Sequence, residues 1–359
     1  MRALCDGLGI PRALAGLAPT PAEDVEERDT DRRSFLTGSM GAALVGAAAP
    51  LRDANAAHIG AAEVQQLHKA ARELQVLDRL HGADTLCEIA IRCLRRADEW
   101  LNHATYASEI GRELQVAYGR LAQVTGWLHY DAGRQATARH HYREALGAAQ
   151  LARDLDMEVW VLEAMSQQAS YVGRPREAAQ LARRAQEVAA GWATPRVNAL
   201  LFVREATAWA RAGDNAAFHR AFIEAEHVFD PRPEADDPHW IVFFDESELT
   251  GLKAASLSYL RHHDRAVALL AEAVRRKATS GLRRNHLWYQ VRFAEEWLKL
   301  GDLTVGCEAI ERALPALQNI TSARIRGRLR DACRVLASRD GRRARDVLDQ
   351  ARRVGVATL

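Results

Sequence analysis

Residues 130–146 read YDAGRQATARHHYREAL, and residues 170–186 read SYVGRPREAAQLARRAQ. Each string closes a run of apolar residues at helical spacing, passes through a glycine and a short polar turn, and opens a second such run. The frame returns as ARAGDNAAFHRAFIEAE at 210–226, SYLRHHDRAVALLAEAV at 258–274 and LKLGDLTVGCEAIERAL at 298–314. Aligned on Gly133, Gly173, Gly213, Arg261 and Gly301, the strings are spaced by 40, 40, 48 and 40 residues. A fixed period in this range predicts stacked helical hairpins, each burying its apolar face against its neighbours. No strand-like alternation interrupts the pattern beyond residue 60.

The letters around each turn explain why a hairpin forms. A first helix ends at Gly, where a left-handed backbone meets no Cβ clash, and the second helix packs back on the first. Five positions on, Ala138, Ala178 and Ala266 let the helices approach closely; Phe218 and Gly306 take that place in the other two units. Nine positions on, Tyr142, Phe222, Leu270 and Ile310 fill the space between units. Twelve on, Ala145, Ala185, Ala225, Ala273 and Ala313 repeat the small-residue requirement. The fourth unit is displaced by DPRPEADDPHWIVFFDESELTGL at 230–252, whose three prolines predict an inserted loop. Asp245 and Glu248 then predict a capping box. Trp240, Phe243 and Phe244, just before it, read either as a staple over the helix end or as one wall of a ligand groove.

Composition narrows the function. The chain has 359 residues, 48% hydrophobic and 27% charged, with a formal charge of +2. It has no apolar run near the roughly 18 residues that span a bilayer. Five cysteines without a Cys-x-x-Cys pair do not suggest a disulfide framework and read as buried hydrophobes. Neither a dinucleotide fingerprint nor a phosphate loop is present, since DGLGIPR at 6–12 lacks the third glycine and the preceding strand. Adjacent histidines such as His140-His141 and His262-His263 should point about 100° apart on a helix and not share an ion. Glu295-Glu296 reads as surface patterning. From Ser322 onward eleven Arg face four Asp, but Ile325, Leu329, Ala332 and Leu336 form an apolar stripe, which places the arginines on the solvent face of a capping helix. The expectation is recognition without catalysis, cofactor or metal.

The repeat resembles the tetratricopeptide repeat, with Gly at the turn, Ala five on, a large apolar residue nine on, Ala twelve on, and Gly126 as the small residue inside the first helix. The period of about 40 departs from the family's 34, and Arg261 replaces the turn glycine. The resemblance implies a right-handed helical-hairpin solenoid whose first helices line a concave groove. Carried over onto this chain, its groove positions are Gln123, Trp127, Tyr130 and Asp131 in the first unit and Trp160, Glu163, Gln167 and Tyr171 in the second. Tyr259 in the fourth and Trp288 and Glu295 in the fifth complete the set. The implied occupant is a peptide, small ligand or partner protein, with homo-oligomerisation allowed.

The N-terminal region sharpens the resemblance. DTDRRSFLTGSMGAALVGAAAP at 29–50 resembles a twin-arginine export signal, yet the first 31 residues carry three Arg against seven acids, the wrong sign for one. MRALCDGLGIPRALAGLAP at 1–19 resembles the closing part of an XRE-type helix-turn-helix domain. Together with LDRLHGADTL (77–86), GWLHYDAGR (126–134), WIVFFDESEL (240–249) and SARIRGRL (322–329), it is similar to tetratricopeptide-containing XRE-family regulators of high-GC bacteria. That likeness implies a helix-turn-helix remnant at 1–20, an acidic then twin-arginine linker at 21–59, and a solenoid with capping helices at 60–359. It also implies a cytoplasmic regulator, with export as the alternative. The helices that would read DNA would have to precede Met1, so DNA is an expected partner only if they are encoded upstream.

Overall fold

Residues 58–339 and 341–356 are described by the computed structural model. The helix-turn-helix-like string, the acidic and twin-arginine segment and Cys5 lie outside these residues. Fourteen α-helices follow one another among the described residues. They are α1 (Ala61–His81), α2 (Cys87–His103), α3 (Ser108–Asp131), α4 (Gln135–Ala152), α5 (Leu155–Tyr171), α6 (Pro175–Ala189) and α7 (Pro195–Ala212). Then come α8 (Asn215–Val228), α9 (Glu246–Tyr259), α10 (His263–Lys277), α11 (Arg283–Lys299), α12 (Leu303–Ala313), α13 (Ala323–Ala337) and α14 (Arg342–Arg353). The fold is an all-α helical-hairpin solenoid, and no strand forms beyond an isolated bridge between His58 and Thr105 among the described residues. None of these helices is long and apolar enough to cross a membrane.

The repeat frame maps onto the hairpins residue for residue. Gly133, Gly173, Gly213 and Gly301 occupy the corners α3/α4, α5/α6, α7/α8 and α11/α12 at φ of 77°, 80°, 79° and 85°. Arg261 turns the α9/α10 corner at φ 66°, so the departure from glycine changes the residue and leaves the geometry in place. A non-glycine residue there carries a penalty of about 1 kcal/mol. Arg261→Gly should therefore stabilise the chain by about 0.5–1 kcal/mol, read as a rise in the urea midpoint at constant m-value. The alanines twelve positions after the corners are fully buried in all five units. Inside α3, a Cβ on Gly126 would lie 2.6 Å from the Tyr142 ring, which is why the first helix needs a hydrogen there.

Helix starts follow ordinary capping chemistry. Asp154, Thr194, Asp214, Asp302 and Ser322 accept a hydrogen bond from the third following backbone N–H, and Pro175 and Pro195 sit in first turns. The predicted capping box at α9 is half formed. Asp245 accepts from the Glu248 N–H at 2.8 Å, but the Glu248 carboxylate accepts instead from the Tyr289 hydroxyl at 2.8 Å and Asn285 at 3.1 Å. Two donors from α11 outbid one backbone amide.

The odd-numbered helices pack in succession, and the series then meets itself: α11 packs on α1, and α13 packs on α3. Thr321 seals the join by donating its backbone N–H to the His81 carbonyl at 2.7 Å and its hydroxyl to the same oxygen at 3.2 Å. The inner surface is consequently a ring of helices around a cavity that remains partly open to solvent, and the concave groove implied by the repeat is corrected to this. Cys87, Cys93, Cys307 and Cys333 are free and buried. Burial pushes the thiols of Cys87, Cys93 and Cys333 up to about 11, which leaves them unreactive near neutrality.

Candidate ligand-binding cavity

All seven odd-numbered helices contribute to the cavity, together with the short 3₁₀ turn His239–Phe243. Its volume is about 150 Å³, many times what one water needs. Repeat geometry explains the convergence, because residues three, four and seven apart on each inner helix share one face. Thus Gln123, Trp127 and Tyr130 of α3 line it, as do Trp160, Glu163, Gln167 and Tyr171 of α5. Tyr259 of α9 and Trp288 of α11 complete the predicted residues found on the wall.

The other two predicted residues stand one layer behind. Asp131 is fully buried and accepts from Arg324 of α13, with ion-pair distances of 3.1 Å to Arg324 and 3.8 Å to Arg284. Glu295 is buried and held by a close ion pair with Arg328. Both orient arginines toward the cavity region. Glu296, read from the sequence as surface, is also buried and binds Ser258, His263 and Lys299. The inserted loop supplies wall as well as staple: Trp240 and Phe243 line the cavity, Trp240 stacks on Trp160 with ring centroids 6.2 Å apart and planes 5° apart, and Phe244 is buried beneath.

Several lining residues were not anticipated. Arg204, Thr207 and Arg211 of α7 line the wall. Arg211 stands two positions before Gly213, as Tyr171 stands before Gly173 and Tyr259 before Arg261, so carrying the same offsets into the third unit would have found it. Asp78 of α1, Glu248 of α9, Arg284 and Arg292 of α11 and Arg324 of α13 also line it. No offset reveals Asp78 or Arg324, because α1 and α13 lie outside the five aligned units. The terminal arginines are corrected accordingly: the apolar stripe is buried as expected, but Arg324 is only 5% exposed and faces inward over Trp288, 4.3 Å from its ring centroid.

Charge on the wall is mostly paired. Glu163 and Arg204, each nearly buried, form an ion pair at 2.9 Å, and Asp78 holds Arg284 at 3.2 Å while accepting from the Trp127 indole at 2.8 Å. Burial pushes the Glu163 and Asp78 carboxyls up, with Arg204 and Arg284 pulling the other way. In all, three lining carboxylates (Asp78, Glu163, Glu248) face six lining arginines (Arg79, Arg204, Arg211, Arg284, Arg292, Arg324), a surplus of three positive charges. Arg211 and Arg292 have no carboxylate within 4.0 Å among the described residues; each reaches the Tyr259 hydroxyl, at 3.2 and 3.4 Å. Burial pushes that hydroxyl up, but Arg292, Arg328 and Arg211 outweigh burial and bring it down to about 7.

Outside the cavity, the histidine geometry departs from expectation. His140, His141 and Glu144 on α4 bring ligating atoms within 4.8 Å of one another, because side-chain reach compensates for the angle between neighbours on a helix. The Glu144 carboxylate is engaged there, by His141 at 2.7 Å and the Tyr118 hydroxyl at 3.1 Å. No protein-family model and no curated protein matches the chain.

Proposed function

We propose that this protein is a ligand-responsive regulator whose central cavity binds a small molecule or a short peptide. The observation that carries this reading is the convergence of aromatic, amide and arginine side chains from seven helices onto one central cavity. A wall that is only structural would be filled with apolar side chains, since burying polar groups without full pairing costs about 1–3 kcal/mol each. Here the Gln123 and Gln167 amide oxygens and the Ser170 hydroxyl are buried without a hydrogen-bond partner among the described residues. Closure of the wall favours a small occupant over a folded partner protein.

The strings similar to XRE-family regulators support the same reading. They contain Asp78, Trp127, Tyr130, Trp240 and Arg324, all of which line the cavity. In this proposal the occupied cavity favours one arrangement of the closed array, and a DNA-binding module linked to the N-terminal side transmits the change to transcription in the cytoplasm. Four free, buried cysteines accord with a reducing compartment. No reacting constellation is invoked; the cavity recognises its occupant and does not transform it.

A thermal-shift screen of short peptides and small organic acids tests the proposal. Ligands that raise the melting temperature should lose at least about tenfold in affinity on Trp127→Ala or Tyr171→Ala, with helical circular dichroism retained. Undiminished binding to both variants would place the site elsewhere.

A further inference from the structure

We propose that the cavity contains an anion-recognition subsite, formed by Arg211, Arg292 and the Tyr259 hydroxyl, for a carboxylate carried on an apolar ligand. The inference rests on the reading of the cavity as a ligand site and specifies the chemistry of its occupant. Arg292 is only 1% exposed, yet its guanidinium reaches no carboxylate; it touches the Tyr259 hydroxyl and the Ala255 carbonyl, both at 3.4 Å, and its Nε has no partner among the described residues. Arg211 approaches the same hydroxyl from α7, with its guanidinium 4.5 Å from the Tyr259 ring centroid. The neighbouring buried cations Arg204, Arg284 and Arg324 and the half-buried Arg328 are each matched by an acid.

The buried Arg292 and the half-buried Arg211 share one hydroxyl and no carboxylate, and the site is incomplete because a buried cation such as Arg292 is stable only when paired. A carboxylate supplies two acceptor oxygens for such donors. Leu252 and Ala255 lie on the same face of α9 as Tyr259, and Trp288 stands one turn from Arg292 on α11; all three line the cavity and form an apolar bed for the body of the ligand. The charged and titratable groups facing Tyr259 are Arg211 of α7, Arg292 of α11, Arg328 of α13, the last already held by Glu295, and the Tyr130 hydroxyl of α3. A phenolate at Tyr259 would compete with the ligand for these arginines. Affinity for the anion should therefore fall as pH rises through about 7, and the loss should vanish in Tyr259→Phe.

The test uses the full chain with benzoate, benzyl alcohol and inorganic phosphate as probes, followed by saturation-transfer NMR and calorimetry. Benzoate should bind at least about tenfold more tightly than benzyl alcohol, and Arg292→Gln or the more exposed Arg211→Gln should erase the difference. Equal binding of benzoate and benzyl alcohol would overturn the anion subsite while leaving the cavity reading intact. Phosphate binding without benzoate binding would overturn the apolar carboxylate. If neither aromatic probe binds, the cavity reading itself fails and the subsite with it. Should Arg292→Gln not fold, Arg211→Gln and the pH profile of Tyr259→Phe still decide the matter.

Discussion

Gly82→Ala is expected to destabilise the chain by about 4 kcal/mol, the sum of backbone strain and overpacking. Gly82 has φ 82° and ψ −179°, a combination open essentially to glycine alone. A Cβ there would also lie 2.2 Å from the Thr321 carbonyl oxygen. That neighbour is backbone, so no rotamer change relieves the clash. One of two things must yield: the α1/α2 corner or the join between the first hairpin and the segment before α13. Urea unfolding would show the loss of stability, and small-angle scattering would show a larger radius of gyration if the join opens while the helices remain. A variant as stable and compact as the parent would mean that the two ends do not meet in solution.

The second large effect concerns Asp131, whose replacement by alanine should cost about 3–5 kcal/mol. Asp131 lies at the end of α3 and ties it to Arg324 of α13, 193 positions away in the sequence. Removing the carboxylate leaves the Arg324 guanidinium buried, with only the Tyr130 hydroxyl at 3.2 Å and the faces of Trp127, Tyr130 and Trp288 for company. Arg284 keeps Asp78 and suffers less. A double variant, Asp131→Ala with Arg324→Met, should recover much of the loss, because the uncompensated cation is then gone. Additive losses in the double-mutant cycle would refute the pairing. The distinction matters for function, since this ion pair fixes the arginine that separates Trp288 from Tyr130 on the cavity wall.

Both residues sit where distant parts of the chain meet, and that separates what was legible in the sequence from what was not. The all-α class, the corners at Gly133, Gly173, Gly213, Arg261 and Gly301 and the buried alanines followed from spacing, while the left-handed backbone at Arg261 is seen only in the structure. Each depends only on contacts inside one hairpin or between neighbouring units, and a period records such contacts directly. The faces of α3 and α5 were legible for the same reason: the wall positions of Trp127, Tyr130, Gln167 and Tyr171 are fixed by helical offset from a corner. Glu296 was misread as surface, and Glu295, read both as surface patterning and as a groove position, stands behind the wall; a charged pair on a helix is usually solvated, and here Arg328 on one side and Ser258 and His263 on the other bury it.

The sequence by itself determined the hairpin, its period and the face each first helix turns inward, since these are local consequences of residue size and backbone freedom. Only the tertiary structure decided that the small rotation between successive units accumulates until α11 reaches α1 and α13 reaches α3. Closure is a sum over the whole array, invisible in any one repeat. It turns the expected concave groove into a ringed cavity and brings Asp131 against Arg324 and Asp78 against Arg284. Burial inside the ring lowers the local dielectric around Arg292, which the chain leaves without a counter-charge, while the half-buried Arg79 and Arg211 on the same wall also have no carboxylate within 4.0 Å among the described residues.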